Sequence, residues 1–229
     1  MPGSSMSVAE PNIILNAILA ETLCGYADKL ENAKDFTSEL KQVIISSLKK
    51  HGRIIFNGNN YSREWIEEAE RRGLLNLKTT VDALPAYTKR SNIDLFIKHN
   101  IYNEKEVHSR FEIYTESYCK TLNIEALAMV DIAKKDIMPA VQRYLHNLSR
   151  TAYYKKSTSP DFSIEFESVM IKNLSQLNML LYNKTEQLAK AAAEAKNIAD
   201  IWQRALYYKD TVIECMNSLR QTADELETL

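Results

Sequence analysis

The stretch 104–148 contains no glycine and a single proline, Pro139. Glycine and proline are the residues that most often end a helix, so this stretch predicts one long helix of about 45 residues. Pro139 is expected to kink that helix rather than to end it. The whole chain of 229 residues has 5 glycines and 5 prolines, too few for a β-sandwich or barrel, because those folds need frequent turns. The sequence therefore predicts a mainly α-helical protein.

Two further helices are expected near the N-terminus. Pro11 stands where a helix tolerates a missing backbone N–H. Residues 36–50 form a second helix, with Asp35 as a candidate N-cap and Gly52 just past its end. Apolar residues occupy nearly every side of the first helix, at Ile13, Ile14, Ile18 and Leu19. The second helix of this hairpin can cover only some of them, which predicts self-association or fast amide exchange in residues 11–56.

The segment between these helices and residue 104 combines short elements. Residues 53–56 are the only convincing extended run, and a strong turn signal follows at residues 57–60. Ser62 is expected to cap a short charged helix that Gly73 stops, and residues 92–99 form another short helix. The sequence therefore predicts at most one short strand.

Residues 170–195 carry apolar side chains in alternating steps of four and three, broken only by Lys184. This spacing is typical of a coiled-coil-like seam, in which Leu177 and Leu181 are expected to pack against the helix 104–148. The same register continues to Leu226, so one very long helix and two helices both fit the pattern. A break near Asn197 is favoured, because a compact bundle needs the chain to return.

These elements together predict a helical hairpin plus an antiparallel bundle of long helices. We expect three regions: residues 1–56, residues 57–103 with short helices and loops, and residues 104–229 with the long helices. Residues 155–163 are expected to form a loop within the last region. That region should fold independently, because its contacts are local in sequence.

Charge and cysteine content exclude several functional classes. Lys and Arg number 29 against 30 Asp and Glu, and a net charge of −1 gives no general attraction for nucleic acid or anionic lipid. Cys24, Cys119 and Cys215 form no C-x-x-C pair, which is typical of a reduced compartment. No secretory signal and no run of about eighteen apolar residues is present. The sequence thus predicts a cytoplasmic protein with neither a nucleic acid nor a membrane as its partner.

The side chains offer little catalytic chemistry. The sequence lacks the phosphate-binding glycine motifs, the nucleophile-elbow motif and the H-E-x-x-H zinc motif. Glu104, His108 and Glu112 share one helix face and could in principle ligate a metal, although an ordinary charged surface is the favoured interpretation. His51, His99 and His146 each lie near a predicted helix C-terminus, where a cation complements the helix dipole.

Two tyrosine pairs stand beside lysines, at residues 153–154 and 207–208. Aromatic side chains next to lysine are one pattern that stacks on nucleic acid bases. The balanced charge favours another interpretation, in which the rings pack in the bundle and their hydroxyls reach water.

Three stretches resemble one known family: GSSMSVAEPNIILNAILAE, RIIFNGNNYSREWIEEAERRGLLNLKTTVDALPAY and HSRFEIYTESYCKTLNIEALAMVDIAKKDIMPAV. They are similar to the C-terminal portion of type III glutamine synthetase, the large bacterial form of the ammonia-assimilating ligase. The likeness covers nearly the whole chain, and ALYYKDTVIECMNSLRQTADELE resembles the last long helix of the family. Cys215 departs from the family pattern, which has a proline at that point.

The resemblance implies where the active site of the parent enzyme lies. In the family, an N-K-F-E-F-R motif directly precedes the segment similar to GSSMS, and its Glu and Arg serve the site where ATP, glutamate and ammonia meet over Mg or Mn. The metal-ligating glutamates and phosphate-binding arginines also lie upstream. The resemblance therefore implies no catalytic, metal-binding or cofactor-binding residue in this chain. Residues 1–56 correspond to the last helices of the catalytic domain, and residues 104–229 to the extension that marks type III enzymes.

Three functional hypotheses follow. The resemblance favours a non-catalytic structural and oligomerisation region of a glutamine synthetase, the ligase of glutamine biosynthesis and nitrogen assimilation. Its partners would be the rest of that enzyme and the other subunits of a double-ring dodecamer, and the chain alone is expected to be inactive. The second hypothesis is a stand-alone helical adaptor that binds a partner helix. The third is a metal-dependent enzyme built on Glu104 and His108.

Overall fold

The computed structural model describes residues 7–229, so the first four residues of the quoted stretch GSSMSVAEPNIILNAILAE lie outside it. The described chain is almost entirely helical and contains no strand, which confirms the mainly α-helical fold. It divides into two compact units, the first ending at Phe111 and the second running from Glu112 to Leu229.

The first unit is built from short and medium helices. They are α1 (Ala9–Glu31), α2 (Phe36–His51), α3 (Arg63–Arg71), α4 (Thr80–Ala83), α5 (Arg90–Lys98) and the first two turns of α6 (Glu104–Ile132). The predicted N-caps are confirmed, since the Asp35 carboxylate accepts hydrogen bonds from two backbone N–H groups of α2. The Ser62 hydroxyl accepts one from the Trp65 N–H in the same way. These caps satisfy donors that have no partner inside the helix.

Two helices of this unit end on a residue in the left-handed conformation. Gly73 has a φ of +70°, and beyond it the Leu74 N–H donates to the Ala69 carbonyl at 2.9 Å. The predicted stop at Gly73 is therefore confirmed. Asn100, with a φ of 53°, ends α5 by the same bonding pattern, because asparagine tolerates this conformation better than most residues.

The predicted extended run at residues 53–56 is wrong. Gly52–Ile54 form a 3₁₀ turn, and the residues that follow are irregular. The side chain of Arg72 supplies the hydrogen bonds that a partner strand would give. Its guanidinium donates to the carbonyls of Arg53 at 3.2 Å and Ile55 at 2.7 Å. Phe56 then stacks on Trp65 with ring centroids 4.6 Å apart. Backbone acceptors are satisfied without a sheet.

The second unit contains the remainder of α6 and the long helices that follow it. They are a π-helical turn (Ala133–Ile137), α7 (Met138–Thr158), α8 (Glu165–Asn197), α9 (Ile201–Tyr207), a second π-helical turn (Tyr208–Val212) and α10 (Ile213–Glu227). Helix α8 packs against α7 and against α10. Short connections on both sides of α8 make each of these pairs antiparallel.

The long helix continues through Pro139 after a π-helical turn, so the proline does not end it, as predicted. In the π turn before it, the Met138 N–H donates to the Ala133 carbonyl, one residue further back than in an α-helix. Widening the turn in this way relieves the clash that a proline ring makes with the carbonyl four residues earlier. The helix then continues to Thr158, so the predicted loop at residues 155–163 begins four residues too early. Lys155 is held in the helix because it pairs with Glu167 on α8.

The buried side of α8 follows a heptad pattern that differs in part from the predicted seam. Its buried residues are Glu167, Leu174, Leu181, Thr185, Leu188, Ala191, Ala192 and Ala195. Leu181 is fully buried as expected, whereas Leu177 is only half-buried. Thr185 rather than Lys184 occupies the buried position at the break in the pattern.

The predicted break near Asn197 is confirmed. Helix α8 ends there, and the Asp200 carboxylate caps α9 by accepting a 2.7 Å hydrogen bond from the Gln203 N–H. The Arg204 guanidinium donates twice to the Ile198 carbonyl, at 2.9 and 2.6 Å. These bonds close a tight connection, so the chain can turn back along α8.

Candidate functional site

The inner side of α1 holds the first unit together. Ala17 is buried in a cluster with Ile93 and Phe96 of α5 and with Tyr102 and Val107. This packing fixes one side of α1 against α5 and the start of α6.

An ionic contact adds to this packing. The Glu21 carboxylate accepts a hydrogen bond from the Lys98 ammonium at 2.9 Å and lies 2.7 Å from the Nε2 atom of His99. These two hydrogen bonds, first that of Lys98 and then that of His99, lower the pKa of Glu21. The ionised form of Glu21 is thus favoured where α1 meets the end of α5.

The outer side of α1 carries apolar side chains that nothing in the unit covers. Leu15, Ile18, Leu19 and Leu23 recur at helical spacing, and between 46% and 56% of each remains exposed. On α2, Ile44, Ile45 and Leu48 are exposed to a similar degree. We call these seven residues the α1–α2 apolar surface. Exposed apolar area is unfavourable in water, so a surface of this kind usually contacts another protein.

The side chains of Glu104, His108 and Glu112, the considered metal-like ladder, are all exposed on α6. Glu104 bonds to Arg90 at 3.2 Å, while His108 and Glu112 stay on the exposed side of α6. Nowhere in residues 7–229 do three Asp, Glu, His or Cys side chains come together as metal ligands would. The arrangement fits the interpretation of an ordinary charged helix surface.

The histidines occupy different places. His51 is the last residue of α2, and His99 is the C-cap of α5, so both lie at helix C-termini as predicted. His146 lies inside α7, well before its end, because the helix continues to Thr158. The prediction of a C-terminal position is therefore wrong for His146.

The two tyrosine pairs also differ from each other. Tyr208 is buried, and its hydroxyl donates to the Asn123 side chain at 3.3 Å. Tyr207 lies half-buried beside it, and its hydroxyl bonds to Glu194 of α8. Bundle packing of the rings is therefore confirmed for this pair, whereas the expectation that the hydroxyls reach water is wrong for Tyr208. Bundle packing is wrong for Tyr153 and Tyr154, which are 69% and 56% exposed and lie edge to face against each other.

The three cysteines are free thiols. Cys119 is buried, and this burial raises the pKa of its thiol, whereas Cys24 and Cys215 are half-buried. A raised pKa keeps Cys119 protonated and a poor nucleophile, so its role is packing. None of the helices between residues 7 and 229 is both long and apolar enough to cross a bilayer.

Comparison with known proteins identifies the family. A family model described as the glutamine synthetase C-terminal domain matches residues 39–156, more than half of the chain. This chain belongs to the glutamine synthetase C-terminal domain family. The resemblance found in the sequence is therefore confirmed.

Curated relatives of this family member are much longer than the chain. It is 34% identical to a glutamine synthetase of Butyrivibrio fibrisolvens, over 85% of this chain and 28% of the relative. It is 30% identical to the type-3 glutamine synthetase of Dictyostelium discoideum and 28% identical to the glutamine synthetase of Bacteroides fragilis. Each of these two matches covers 98% of this chain and 32% of the relative. The chain thus spans about a third of the length of these relatives.

Proposed function

We propose that this chain is a non-catalytic, structural region of a glutamine synthetase in the cytoplasm. It packs against the rest of that enzyme and supports its assembly into a homo-oligomer. The remainder of the enzyme ligates ammonia to glutamate with ATP and Mg or Mn, and this chain contributes no ligand to those cofactors. The matches to about a third of three glutamine synthetases support this assignment.

The α1–α2 apolar surface is the observation that carries the proposal. The opposite side of α1 is fixed by the Ala17 cluster and by Glu21, so α1 cannot rotate to hide its exposed residues without breaking both contacts. Covering a half-exposed leucine or isoleucine is worth about 1 kcal/mol, and seven such side chains favour a permanent partner. The chain matches only a third of its relatives, and the other two thirds of such an enzyme supply that partner.

The ionic contacts of the chain also support a structural role. Glu21, Glu167 and Tyr207 have shifted pKa values, and in each case the hydrogen bond that causes the shift joins one helix to another. Groups used in this way hold helices at fixed positions. Catalytic groups with shifted pKa values more often lie together in one cleft.

Co-purification tests the proposed packing. The chain is co-expressed with the Butyrivibrio fibrisolvens glutamine synthetase from which the matching C-terminal segment has been removed. We expect the two polypeptides to purify together, and we expect the double variant Ile18→Asp/Leu19→Asp to abolish the complex. The matched control Tyr61→Asp/Leu75→Asp places the same charges on two highly exposed residues outside the α1–α2 apolar surface. Failure to bind, or equal loss in both double variants, would refute the packing.

An activity measurement tests the non-catalytic role. Phosphoryl transfer needs several groups held around one phosphate, so a chain without them should form no γ-glutamyl product. We expect the purified chain to show no glutamine synthesis with ATP, glutamate, ammonia and either metal. Turnover proportional to the concentration of the chain would contradict the proposal.

A further inference from the structure

Helix α7 presents a basic and aromatic face. Residues 137–160 contain no Asp or Glu, in a chain whose overall charge is −1. Five exposed residues of this stretch recur at helical spacing, and we call them the α7 basic face: Arg143, His146, Arg150, Tyr153 and Tyr154. The Arg150 guanidinium lies over the Tyr154 ring, 5.8 Å from its centroid. Arginine and tyrosine are the side chains that most often dominate the energy of protein interfaces.

A groove of about 570 Å³ lies between α10 and the segment where α6 passes into α7. Its floor is apolar and includes Met129, Ile132, Ala140, Leu219, Ala223 and Leu226. Three carboxylates, those of Asp136, Asp224 and Glu227, also line the groove, together with one guanidinium, that of Arg220. Arg220 is already paired with Asp224 at 2.6 Å, so the groove keeps an excess of negative charge. An apolar floor with charged edges is the usual composition of a protein interface.

We propose that this groove binds the α7 basic face of a second copy of the chain. This inference rests on the proposed homo-oligomer and names the surfaces that form it. Guanidinium groups pair with carboxylates in a bidentate manner, which matches Arg143 and Arg150 to the acidic groove. The tyrosine rings cover the apolar floor.

The geometry allows the contact to form twice in one dimer. Helix α7 carries the basic face and also supplies one wall of the groove, through Ala140 and its neighbours. A two-fold axis beside α7 therefore places each basic face in the groove of the other copy. Such a reciprocal contact is the commonest arrangement in protein dimers.

Charge-reversal variants of the full 229-residue chain test this contact. Their self-association is measured by sedimentation velocity at about 0.05 M and about 0.5 M salt, since screening weakens contacts between charges. The double variant Arg143→Glu/Arg150→Glu reverses the basic face, and Asp136→Lys/Glu227→Lys reverses the groove. Lys172→Glu/Lys190→Glu is the matched control, because both lysines are exposed on α8 on the side away from its buried residues.

We expect the unmodified chain to dimerise, with higher salt weakening the dimer. Each double variant in the contact should weaken self-association about tenfold or more, whereas the control should behave like the unmodified chain. Mixing the two contact variants should restore a heterodimer, because each then supplies the surface that complements the other. A chain that is monomeric throughout, a mixture that does not associate, or an equal effect of the control would overturn the proposal.

Other occupants of these surfaces give different results. A nucleic acid or an anionic membrane would need the basic face alone. In that case the chain would stay monomeric and would bind a DNA oligonucleotide or phosphatidylserine vesicles, and Arg143→Glu/Arg150→Glu would abolish this binding. Such a result would overturn our proposal. Self-association that only Ile18→Asp/Leu19→Asp removes would assign the dimer to the α1–α2 apolar surface and overturn the α7 contact. Loss of co-purification with the Butyrivibrio polypeptide would refute the packing role without affecting the charge-reversal result.

Discussion

The Tyr207 hydroxyl donates a 2.7 Å hydrogen bond to the carboxylate of Glu194, and this bond joins α9 to the last turns of α8. The bond, together with partial burial, raises the pKa of Tyr207 from 10.0 to about 12. Two contacts thus fix the connection between α8 and α9. The Asp200 cap lies at the start of α9, and Tyr207 is the last residue of α9.

Replacement of the acceptor should change the titration of this tyrosine. We expect Glu194→Gln to bring the pKa of Tyr207 down from about 12 towards 10, because a neutral amide no longer opposes the phenolate charge. The titration is followed by ¹³C NMR of the tyrosine ring carbon that bears the hydroxyl. Tyr207→Phe assigns the signal among the 12 tyrosines.

The same shift predicts a dependence of stability on pH. The fold raises the pKa of Tyr207, so its contribution to stability is fully present below pH 10 and is lost as the pH rises towards 12. Glu194→Gln should remove most of this dependence between those values. An unchanged alkaline unfolding curve in the variant would show that Glu194 is not the cause of the shift.

The ion pair between Lys155 and Glu167 predicts an asymmetric effect of two substitutions. Glu167 is 4% exposed, and its Oε2 atom has no hydrogen-bond partner within residues 7–229. Lys155→Met leaves this buried carboxylate without its cation, which is costly. We expect the variant to lower the thermal unfolding midpoint by several degrees, and Lys155→Met/Glu167→Met to recover most of the loss.

Acid should reduce the penalty of the single variant. The hydrogen bond from Lys155, and then the backbone, lowers the pKa of Glu167 from 4.5, so the ionised pair stabilises the fold at neutral pH and loses that effect in acid. The deficit of Lys155→Met relative to the unmodified chain should therefore shrink below pH 4.5. A deficit that stays constant between neutral and acidic pH would mean that lost packing of the Lys155 stem explains it instead.

Helix-end signals in the sequence were sufficient to predict much of the fold. The predicted caps at Asp35 and Ser62 and the predicted stop at Gly73 all lie at helix ends in the structure. Such signals are readable in the sequence because capping depends on backbone groups only a few residues away. The strand predicted at residues 53–56 failed for a different reason. Its carbonyls are satisfied by Arg72, which is seventeen to nineteen residues away, and no local pattern reveals such a contact.

The candidate surfaces could be predicted only in part. Exposure of Ile18 and Leu19 follows from apolar residues on every side of α1, and the structure confirms it. The exposure of Tyr153 and Tyr154 was not predicted, because it depends on which side of α7 is buried, and the buried residues Val141 and Leu148 lie on another side of the helix. The sequence does contain one signal for the α7 basic face, since residues 137–160 include no Asp or Glu.

Loss of a fully buried leucine of α8 tests the packing of the second unit. Leu181 is 0% exposed, so Leu181→Ala should lower the free energy of unfolding by about 2–4 kcal/mol through lost burial and a cavity. Trp202 lies in the second unit and Trp65 in the first, so urea unfolding is followed by fluorescence in a Trp65→Phe background. A loss below about 1 kcal/mol would show that the site collapses around alanine or is not packed as described.

The register of α8 is tested by two neighbouring positions. The Thr185 hydroxyl is fully buried and donates a 2.7 Å hydrogen bond to the Leu181 carbonyl, whereas the Lys184 side chain is only half-buried. A half-buried lysine can lay its apolar stem along such a seam while its ammonium reaches water. Lys184→Leu should therefore change the free energy of unfolding by no more than about 0.5 kcal/mol, or raise it.

Thr185→Leu is the matched variant, because it places the same side chain one residue further along. Leucine has one more side-chain heavy atom than threonine and branches one carbon further out, so in this fully buried position it should overpack the seam and lower the free energy of unfolding by about 1–3 kcal/mol. The same fluorescence measurement in the Trp65→Phe background compares both variants. If Lys184→Leu is the damaging substitution and Thr185→Leu the tolerated one, α8 packs in the register that places Lys184 in the seam, because only a buried and paired lysine makes its own replacement costly.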